Sequence, residues 1–234
     1  MKLSMKISLL TCCLAGLMST GAWAQDALQF ANFGRYAKSN TEVTKTDLAK
    51  RRAVFLGNSI TDNWAAMHPA FFSENGYVGR GIGGQTSYQF LLRFREDVLN
   101  LKPKVVVINA ATNDIAENTG PYNEDYTFGN IVSMVELAQA NKIKVVLTTT
   151  LPAAAFGWRP SIKDAPQKIT ALNKRLQAYA KAHRIPFVDY YAAMVRKSDG
   201  ALNPDYTKDG VHPTLEGYAV MEGLVKPVVE KLLK

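Results

Sequence analysis

The sequence predicts an α/β fold, a three-layer α/β/α sandwich built on a five-stranded parallel sheet of flavodoxin-like order. Two observations support this prediction. Short apolar runs recur along the chain, and segments with a helical spacing of apolar residues lie between them. Continuous apolar strands that alternate with helices are typical of a parallel sheet covered on both faces. No internal repeat or low-complexity linker divides the chain, so we expect a single domain over residues 25–234.

The predicted elements follow one another in a regular order. Residues 27–37 predict a short helix, and a second helix is predicted to end at Arg52. Thr214 supplies a capping hydroxyl and Glu216 a negative charge in the first turn, so the start of the last helix is well marked. The apolar runs predict strands at 53–56, 77–81, 105–109, 145–149 and 186–189, and the helical spacing predicts helices at 86–99, 126–140, 165–183 and 214–233.

The first 24 residues have the pattern of a secretory signal peptide. Lys2 and Lys6 precede an apolar run, and Ala22-Trp23-Ala24 is a small-residue cleavage pattern. The apolar run is too short to cross a membrane, so we expect no stable membrane anchor. Both cysteines, Cys12 and Cys13, lie in this segment, so the mature chain would have neither disulfides nor cysteine metal ligands. We therefore predict an exported protein, periplasmic or secreted.

The charge of the chain is moderately positive. Lys and Arg number 28 against 20 Asp and Glu, which gives a formal net charge of +8. The basic residues are scattered, and the sequence has no dense basic stripe with interleaved aromatic residues. This distribution favours a solvated surface over nucleic-acid binding.

Four loops predicted at one edge of the sheet carry unusual sequences. In open parallel sheets, ligands bind outside the carboxyl ends of the strands. Polar or glycine-rich segments follow the first three predicted strands at 57–59, 81–86 and 110–114, and a fourth segment, 209–213, precedes the last helix. Residues with a chemical role should therefore cluster in these four loops.

The four loops contain the groups that ester hydrolysis requires. Ser59 supplies a hydroxyl, and His212 is the only histidine of three predicted in a loop at this edge, so it is the candidate base. Asp209, three residues earlier, can hold the imidazole. The backbone N–H groups of Ser59 and Gly84, with the side-chain amide of Asn113, are the candidate oxyanion donors. Gly84 suits this task because it has no Cβ to obstruct a substrate.

Structural roles for the same residues stay open. Ser59 can cap a helix, and Asn113 can stabilise a turn through its side chain. His68 is close to Ser59 in sequence but is predicted at the far end of a short helix, so it is a weak rival base. His183 ends a predicted helix, where a histidine complements the helix dipole.

The four loops resemble those of the SGNH hydrolase family, also called GDSL-type esterases, which is named after a Ser, a Gly, an Asn and a His. The matching residues are Ser59, Gly84, Asn113 and His212, with Asp209 in the Asp-x-x-His block. The resemblance runs from about residue 53 to the C-terminus. It implies the SGNH hydrolase fold and a serine esterase that needs no metal and no cofactor.

Two positions depart from the pattern of that family. Asn58 stands where the family usually has Asp before the serine, and Ala111 stands where a Gly often opens the third block. Neither belongs to the expected functional residues, so we interpret both as variation within the family.

The expected substrate is an ester of a small acyl group, most simply acetyl, on a carbohydrate or another small molecule. This expectation depends on predicted export, on the resemblance and on the lack of a long apolar lid. Trp64 and Trp158 are the aromatic residues proposed to contact the substrate, and the alternative for both is a place in the core. A lysophospholipase or thioesterase, a non-catalytic glycan-binding module and a metallophosphoesterase are the alternatives, the last weakened by having only three histidines.

Overall fold

Five parallel strands form the central sheet of the computed structural model, which describes residues 28–234. The strand order is β2-β1-β3-β4-β5, the flavodoxin-like order, and the predicted α/β sandwich is therefore confirmed. The predicted signal peptide at 1–24, with both cysteines, lies outside the described residues. The strands are β1 Ala53–Gly57, β2 Tyr77–Gly81, β3 Val105–Ile108, β4 Lys144–Thr148 and β5 Phe187–Val188.

Helices connect the strands and cover both faces of the sheet. They are α1 Gly34–Lys45, α2 Ser59–Met67, α3 Pro69–Asn75, α4 Ser87–Asp97, α5 Thr112–Ile115, α6 Glu124–Ala140, α7 Ala165–Ala182, α8 Tyr190–Met194 and α9 Leu215–Leu233. Short 3-10 helices occur at Leu48–Lys50, Leu99–Leu101 and Pro204–Tyr206, and a small hairpin joins β6 Val195–Arg196 to β7 Ala201–Leu202. Within residues 28–234, no helix is both long enough and apolar enough to span a membrane.

Alternate side chains of β1 enter two separate apolar clusters. Val54 and Leu56 pack with residues of α4, α6 and α7, whereas Ala53 and Phe55 pack with residues of α2, α3 and α9. Successive residues of a strand point to opposite faces, so a sheet covered on both sides needs apolar residues at every position. Burying each large apolar side chain contributes about 1.5–3 kcal/mol. This is why β1 is a continuous apolar run in the sequence.

The helix predicted at 27–37 is divided by a turn in the structure, and its second part extends further than predicted. Residues 28–31 are helical, but Asn32 has a left-handed φ of 53° and the chain turns before α1 begins at Gly34. No residue of α1 is buried. Polar contacts attach the helix to the sheet: the hydroxyl of Tyr36 donates to the carbonyl of Gly81, and Asn40 accepts from Arg80 at 2.8 Å. Because α1 has no buried apolar stripe, its bounds carry little signal in the sequence.

The sheet register brings the predicted functional loops together. β1 lies between β2 and β3 and pairs Gly57 with Gly81 and Leu56 with Ile108, so the chain leaves all three strands at one edge. The hydroxyl of Tyr218 on α9 donates to the carbonyl oxygen of Ile60 on α2 at 2.8 Å. This bond holds the start of α9, and with it the loop before α9, against the helix that follows β1.

Candidate active site

Ser59 is the first residue of α2 and follows β1 after a tight turn. The side chain of Asn58 caps the helix, with Oδ1 accepting from the backbone N–H of Ile60 at 3.0 Å. A Cβ on Gly57 would lie 2.0 Å from Oγ1 of Thr61, so the turn requires glycine there. Backbone amides in the first turn of a helix lack intrahelical acceptors. The turn therefore presents a hydroxyl and a free backbone N–H in the same place.

The structure brings the hydroxyl of Ser59 against the imidazole of His212. Oγ of Ser59 and Nε2 of His212 lie 2.8 Å apart, although 153 positions separate the two residues. Nδ1 of His212 lies 2.6 Å from Oδ2 of Asp209. The carboxylate accepts a hydrogen bond from Nδ1–H, which keeps the proton on Nδ1 and leaves Nε2 unprotonated and able to accept the hydroxyl proton. The three side chains thus form a hydrogen-bonded relay that ends at Ser59.

The second carboxylate oxygen of Asp209 fixes the loop that carries the imidazole. Oδ1 accepts from the backbone N–H of Val211 at 2.9 Å and from that of His212 at 2.8 Å. Partial burial raises the pKa of Asp209, but the hydrogen bonds from His212 and Val211 outweigh this effect. The pKa is therefore lowered from its ordinary value of 3.8 to about 2. The carboxylate is therefore ionised at neutral pH and can stabilise an imidazolium.

The glycine loop after β2 passes beside Ser59. The position of a Cβ on Gly83 would be 3.8 Å from Cβ of Ser59. Gly84 is exposed, has φ +77°, and has no described atom within 4 Å of the place where a Cβ would stand. A positive φ is a conformation that favours glycine, and the open space agrees with an approaching ligand. The backbone of Gly84 is therefore exposed on the loop that passes beside Ser59.

Asn113 is buried against the glycine loop after β2. It is 2% exposed, and its Nδ2 donates one hydrogen bond to the carbonyl of Gln85 at 2.9 Å. An asparagine amide has two N–H groups. Within residues 28–234, the second has no protein acceptor. A turn-stabilising role and an oxyanion role are compatible, because each needs only one of the two hydrogens.

A buried arginine connects the loop after β1 to the loop after β2. Arg93 is fully buried, and its guanidinium donates to the carbonyl of Gly57 at 3.0 Å, to Oε1 of Gln85 at 2.6 Å and to Oδ2 of Asp97 at 2.8 Å. Burial lowers the pKa of Arg93, and the charge of Asp97 opposes this shift. Arg93 was not among the residues predicted from the sequence. Its signal was an Arg–Asp pair at i, i+4 beside the buried Phe90 and Phe94 of α4.

Asp114 attaches the third loop to the start of α4. Its buried carboxylate accepts from the backbone N–H of Ser87 at 3.0 and 3.1 Å, from the Ser87 hydroxyl at 2.5 Å and from the Thr127 hydroxyl at 3.4 Å. Burial raises the pKa of Asp114, and the hydrogen bonds from Ser87 act in the opposite direction. The neighbouring Asn113 is therefore held both by its own hydrogen bond to Gln85 and by the attachment of Asp114 to α4.

Trp158 lies beside the candidate base and is held by an asparagine. Its ring is 43% exposed and its centroid is 6.4 Å from that of the His212 imidazole. Oδ1 of Asn118 accepts from Nε1 of Trp158 at 2.9 Å, and Nδ2 of Asn118 donates to the carbonyl of Gly84 at 3.0 Å. Asn118 thus links the aromatic wall to the glycine loop. No motif around Asn118 indicated this link.

The prediction that Trp64 contacts the substrate is wrong. It is 2% exposed because its ring stacks between Phe71 and Tyr218, with centroid distances of 5.1 and 5.5 Å. Its Nε1 donates to Oε1 of Glu222 at 2.9 Å. The same oxygen lies 2.7 Å from Nδ1 of His68 at the opposite end of α2 from Ser59. These residues belong to the core and its border.

The remaining chemistry-bearing residues lie away from the site. His183 ends α7, and its Nδ1 lies 2.9 Å from the carbonyl oxygen of Tyr179. The described part of the chain contains no group of three or more His, Cys, Asp or Glu placed to hold a metal ion. The site as described therefore consists of the hydroxyl, its relay, the candidate oxyanion donors and Trp158.

Comparisons with known proteins agree with this architecture. Residues 55–220 match the GDSL-like Lipase/Acylhydrolase family. The structure of a GDSL-like lipase from Bacteroides thetaiotaomicron is similar, with 66% identity, a TM-score of 0.84 and coverage of 86% of this chain and 98% of that chain. The human platelet-activating factor acetylhydrolase IB subunit alpha2 is 30% identical over 70% of this chain and 67% of its own length.

Other relatives match over smaller shares of their own length. An acetylxylan esterase of Xylanibacter ruminicola is 24% identical over 76% of this chain, which spans 43% of that esterase. The chain spans 32% of an uncharacterized lipoprotein, YqeF, of Bacillus subtilis.

The fold and these relatives define a carboxylic ester hydrolase. The chain belongs to the GDSL-like Lipase/Acylhydrolase family, and the resemblance found in the sequence is confirmed.

Proposed function

We propose that this protein is an exported serine esterase that removes a small acyl group, acetyl, from carbohydrate esters. Ser59 is the nucleophile, His212 the general base and acid, and Asp209 the residue that orients the imidazole. The backbone amides of Ser59 and Gly84 and the side-chain amide of Asn113 stabilise the oxyanion. One observation carries the proposal: Oγ of Ser59 and Nε2 of His212 are at hydrogen-bond distance, 2.8 Å.

The reaction proceeds in two halves. Oγ of Ser59 attacks the ester carbonyl while Nε2 of His212 takes its proton, and the carbonyl oxygen becomes an oxyanion facing the three N–H donors. The intermediate collapses when the imidazolium returns the proton to the departing sugar oxygen, which leaves an acyl group on Ser59. Water then attacks the acyl-enzyme with His212 again as base. Acetate leaves and the serine hydroxyl is restored.

The choice of an acetyl ester of a carbohydrate is supported by two relatives and by one side chain. An acetylhydrolase and an acetylxylan esterase are among the similar proteins, and the second name includes a polysaccharide. Trp158 offers an exposed aromatic face beside His212, on which the apolar face of a sugar ring can stack. Longer acyl chains, as a lysophospholipase or thioesterase would prefer, are the alternative outcome of the test below.

Export is supported by the signal-peptide pattern of residues 1–24. Expression of the full chain in a bacterial host, followed by N-terminal sequencing of the periplasmic and released protein, tests this part. We expect a mature chain that begins at Gln25. A full-length chain that stays in the cytoplasm contradicts export and leaves the esterase proposal unaffected.

Three measurements test the esterase proposal. A fluorophosphonate probe should label the parent protein and the control Ser73→Ala, which changes an exposed serine on α3, and should not label Ser59→Ala. The rate with p-nitrophenyl esters should be highest for acetate and fall with chain length. A panel of acetylated sugars should release acetate. Labelling of Ser59→Ala refutes the assigned nucleophile, and a rate that rises with chain length refutes the acetyl assignment.

A further inference from the structure

An aromatic groove lies next to the candidate active site. It has a volume of about 500 Å³ and lies between α4, the segment that precedes α6 and the N-terminal end of the described chain. Four of the eight described residues that line it are aromatic, and Thr119 and Asn123 add polar groups. The aromatic residues are Phe30, Tyr88, Tyr122 and Tyr126.

The groove presents aromatic surface to solvent. Tyr126 is 63% exposed and Phe30 is 43% exposed. Burial of a large aromatic side chain lowers the free energy, so a cluster of exposed aromatic side chains is typical of an interaction site. Tyr122 packs against the core, but within residues 28–234 the exposed parts of Tyr126 and Phe30 are covered by no other side chain.

The chemistry of the walls selects the class of ligand. None of the described residues that line the groove carries a charge, and none is Leu, Ile, Val or Met. A long acyl chain would be matched by aliphatic walls, and a phosphate by basic ones. The hydroxyl of Tyr122 is buried, but the phenol rings of Tyr88 and Tyr126, together with Thr119 and Asn123, match a neutral ligand with flat apolar faces and many hydroxyls. An oligosaccharide has both properties.

The groove is continuous with the loop that carries the candidate oxyanion donor. Thr119 at its edge follows Asn118, whose Nδ2 donates to the carbonyl of Gly84 at 3.0 Å. Oγ1 of Thr119 lies 3.2 Å from Oγ1 of Thr86, two residues after Gly84. The opposite side of Asn118 contacts Trp158. A ligand that extends from the site past Asn118 would therefore enter the groove.

We propose that this groove binds the sugar units next to the one that bears the acyl group, and so makes the enzyme prefer acylated oligosaccharides over acylated monosaccharides. The proposal depends on the proposed function for its substrate class. Tyr126 and Tyr88 supply stacking surfaces in the groove, whereas Trp158 contacts the sugar at the reacting ester.

The test compares two substrates on variants of the full mature chain. We would measure kcat/KM for acetylated xylotetraose and for acetylated xylose with the parent, Tyr126→Ala, Tyr88→Ala and the matched control Leu92→Ala. Leu92 is 51% exposed on α4, one turn after Tyr88, and does not line the groove. We expect the ratio of the two values to fall about three- to tenfold in each tyrosine variant, the scale of one lost aromatic contact, and to keep the parental value in Leu92→Ala.

The outcomes separate the groove from the active site. Parental ratios in both tyrosine variants overturn the groove, as does a parent that hydrolyses p-nitrophenyl acetate but no acetylated sugar. A parent that hydrolyses no ester at all refutes the proposed function instead. In that case calorimetric titration with unmodified xylotetraose decides: binding by the parent that weakens in Tyr126→Ala supports the groove, and lack of binding overturns it.

Discussion

Replacement of Asp209 by Asn tests the relay with little change in shape. Oδ1 of Asp209 accepts from the backbone N–H groups of Val211 and His212, and an asparagine can keep both of these bonds through its own Oδ1. Oδ2, 2.6 Å from Nδ1 of His212, becomes an NH₂ group. The variant therefore retains the loop and loses the acceptor for the imidazole.

The magnitude follows from the tautomer and from the charge. An NH₂ group opposite Nδ1 favours the tautomer with hydrogen on Nε2, which cannot accept the proton of Ser59. A hydrogen bond to a charged group contributes about 1.5–3 kcal/mol, or about 10- to 100-fold in rate. The same change at a buried Asp in a serine protease lowers kcat about 10⁴-fold. The Asp209 side chain is 55% exposed, so solvent screens it, and we expect a loss in kcat of about 10²- to 10³-fold.

The assay is hydrolysis of p-nitrophenyl acetate, with kcat and KM determined separately. Asp205→Asn is the matched control because Asp205 is an exposed aspartate in the 3-10 helix before the same loop, and it should keep the parental kcat. Thermal unfolding should show that both variants remain folded. A kcat of Asp209→Asn within about threefold of the parent would refute the assigned role of Asp209.

Three further changes test other parts of the site. Asn113→Ala should lower kcat for p-nitrophenyl acetate about 10²- to 10³-fold, the scale of one oxyanion donor, and a loss below about threefold would remove Asn113 from that role. Trp158→Ala should raise KM for acetylated xylose about three- to tenfold, and a parental KM would exclude a sugar contact there. The pKa of Asp209 is about 2, below the ordinary 3.8, so its ionised form stabilises the fold above about pH 4 and this contribution is lost as the pH falls towards 2. Urea unfolding should accordingly show the free energies of the parent and Asp209→Asn converging over that range, and a constant difference would contradict the shift.

The sheet could be predicted because its signal is local. Strands buried on both faces are continuous apolar runs, and all five predicted strands overlap the observed ones, β2 with identical bounds. α1 could not be placed correctly because polar contacts, such as that of Tyr36 with Gly81, attach it to the sheet instead of an apolar stripe. Such contacts depend on residues about 45 positions away, which no periodicity encodes.

The candidate site was predictable to the extent that strand ends define it. The rule that ligands bind at the carboxyl edge selected the loops of Ser59 and His212, and the structure brings these two side chains together. The prediction that Trp64 contacts the substrate failed because the position of Trp64 along α2 does not show whether that face of the helix is buried or exposed. Arg93 and Asn118 were missed because their roles come only from their partners in space.

The departure from the family pattern at Ala111 has a backbone explanation. Ala111 has φ 82° and ψ −15°, a left-handed conformation that favours glycine and costs another residue about 1–2 kcal/mol. Ala111→Gly relieves this strain. It also removes the methyl group of a residue that is 1% exposed and raises the conformational entropy of the unfolded chain, and both of these effects destabilise the fold. These effects oppose one another, so urea unfolding should show a change within about 1 kcal/mol.

A larger residue at the same position gives the opposite result. Ala111→Val places a β-branched side chain at a positive φ inside the core, so it should destabilise the fold by more than about 2 kcal/mol. It should also lower kcat, because Asn113 is two residues away and its side-chain amide must point at the oxyanion. A valine variant as stable as the parent would refute the left-handed turn. In the structure alanine occupies this turn and Asn113 keeps its hydrogen bond to the carbonyl of Gln85, so the departure from glycine leaves the candidate oxyanion donor in place.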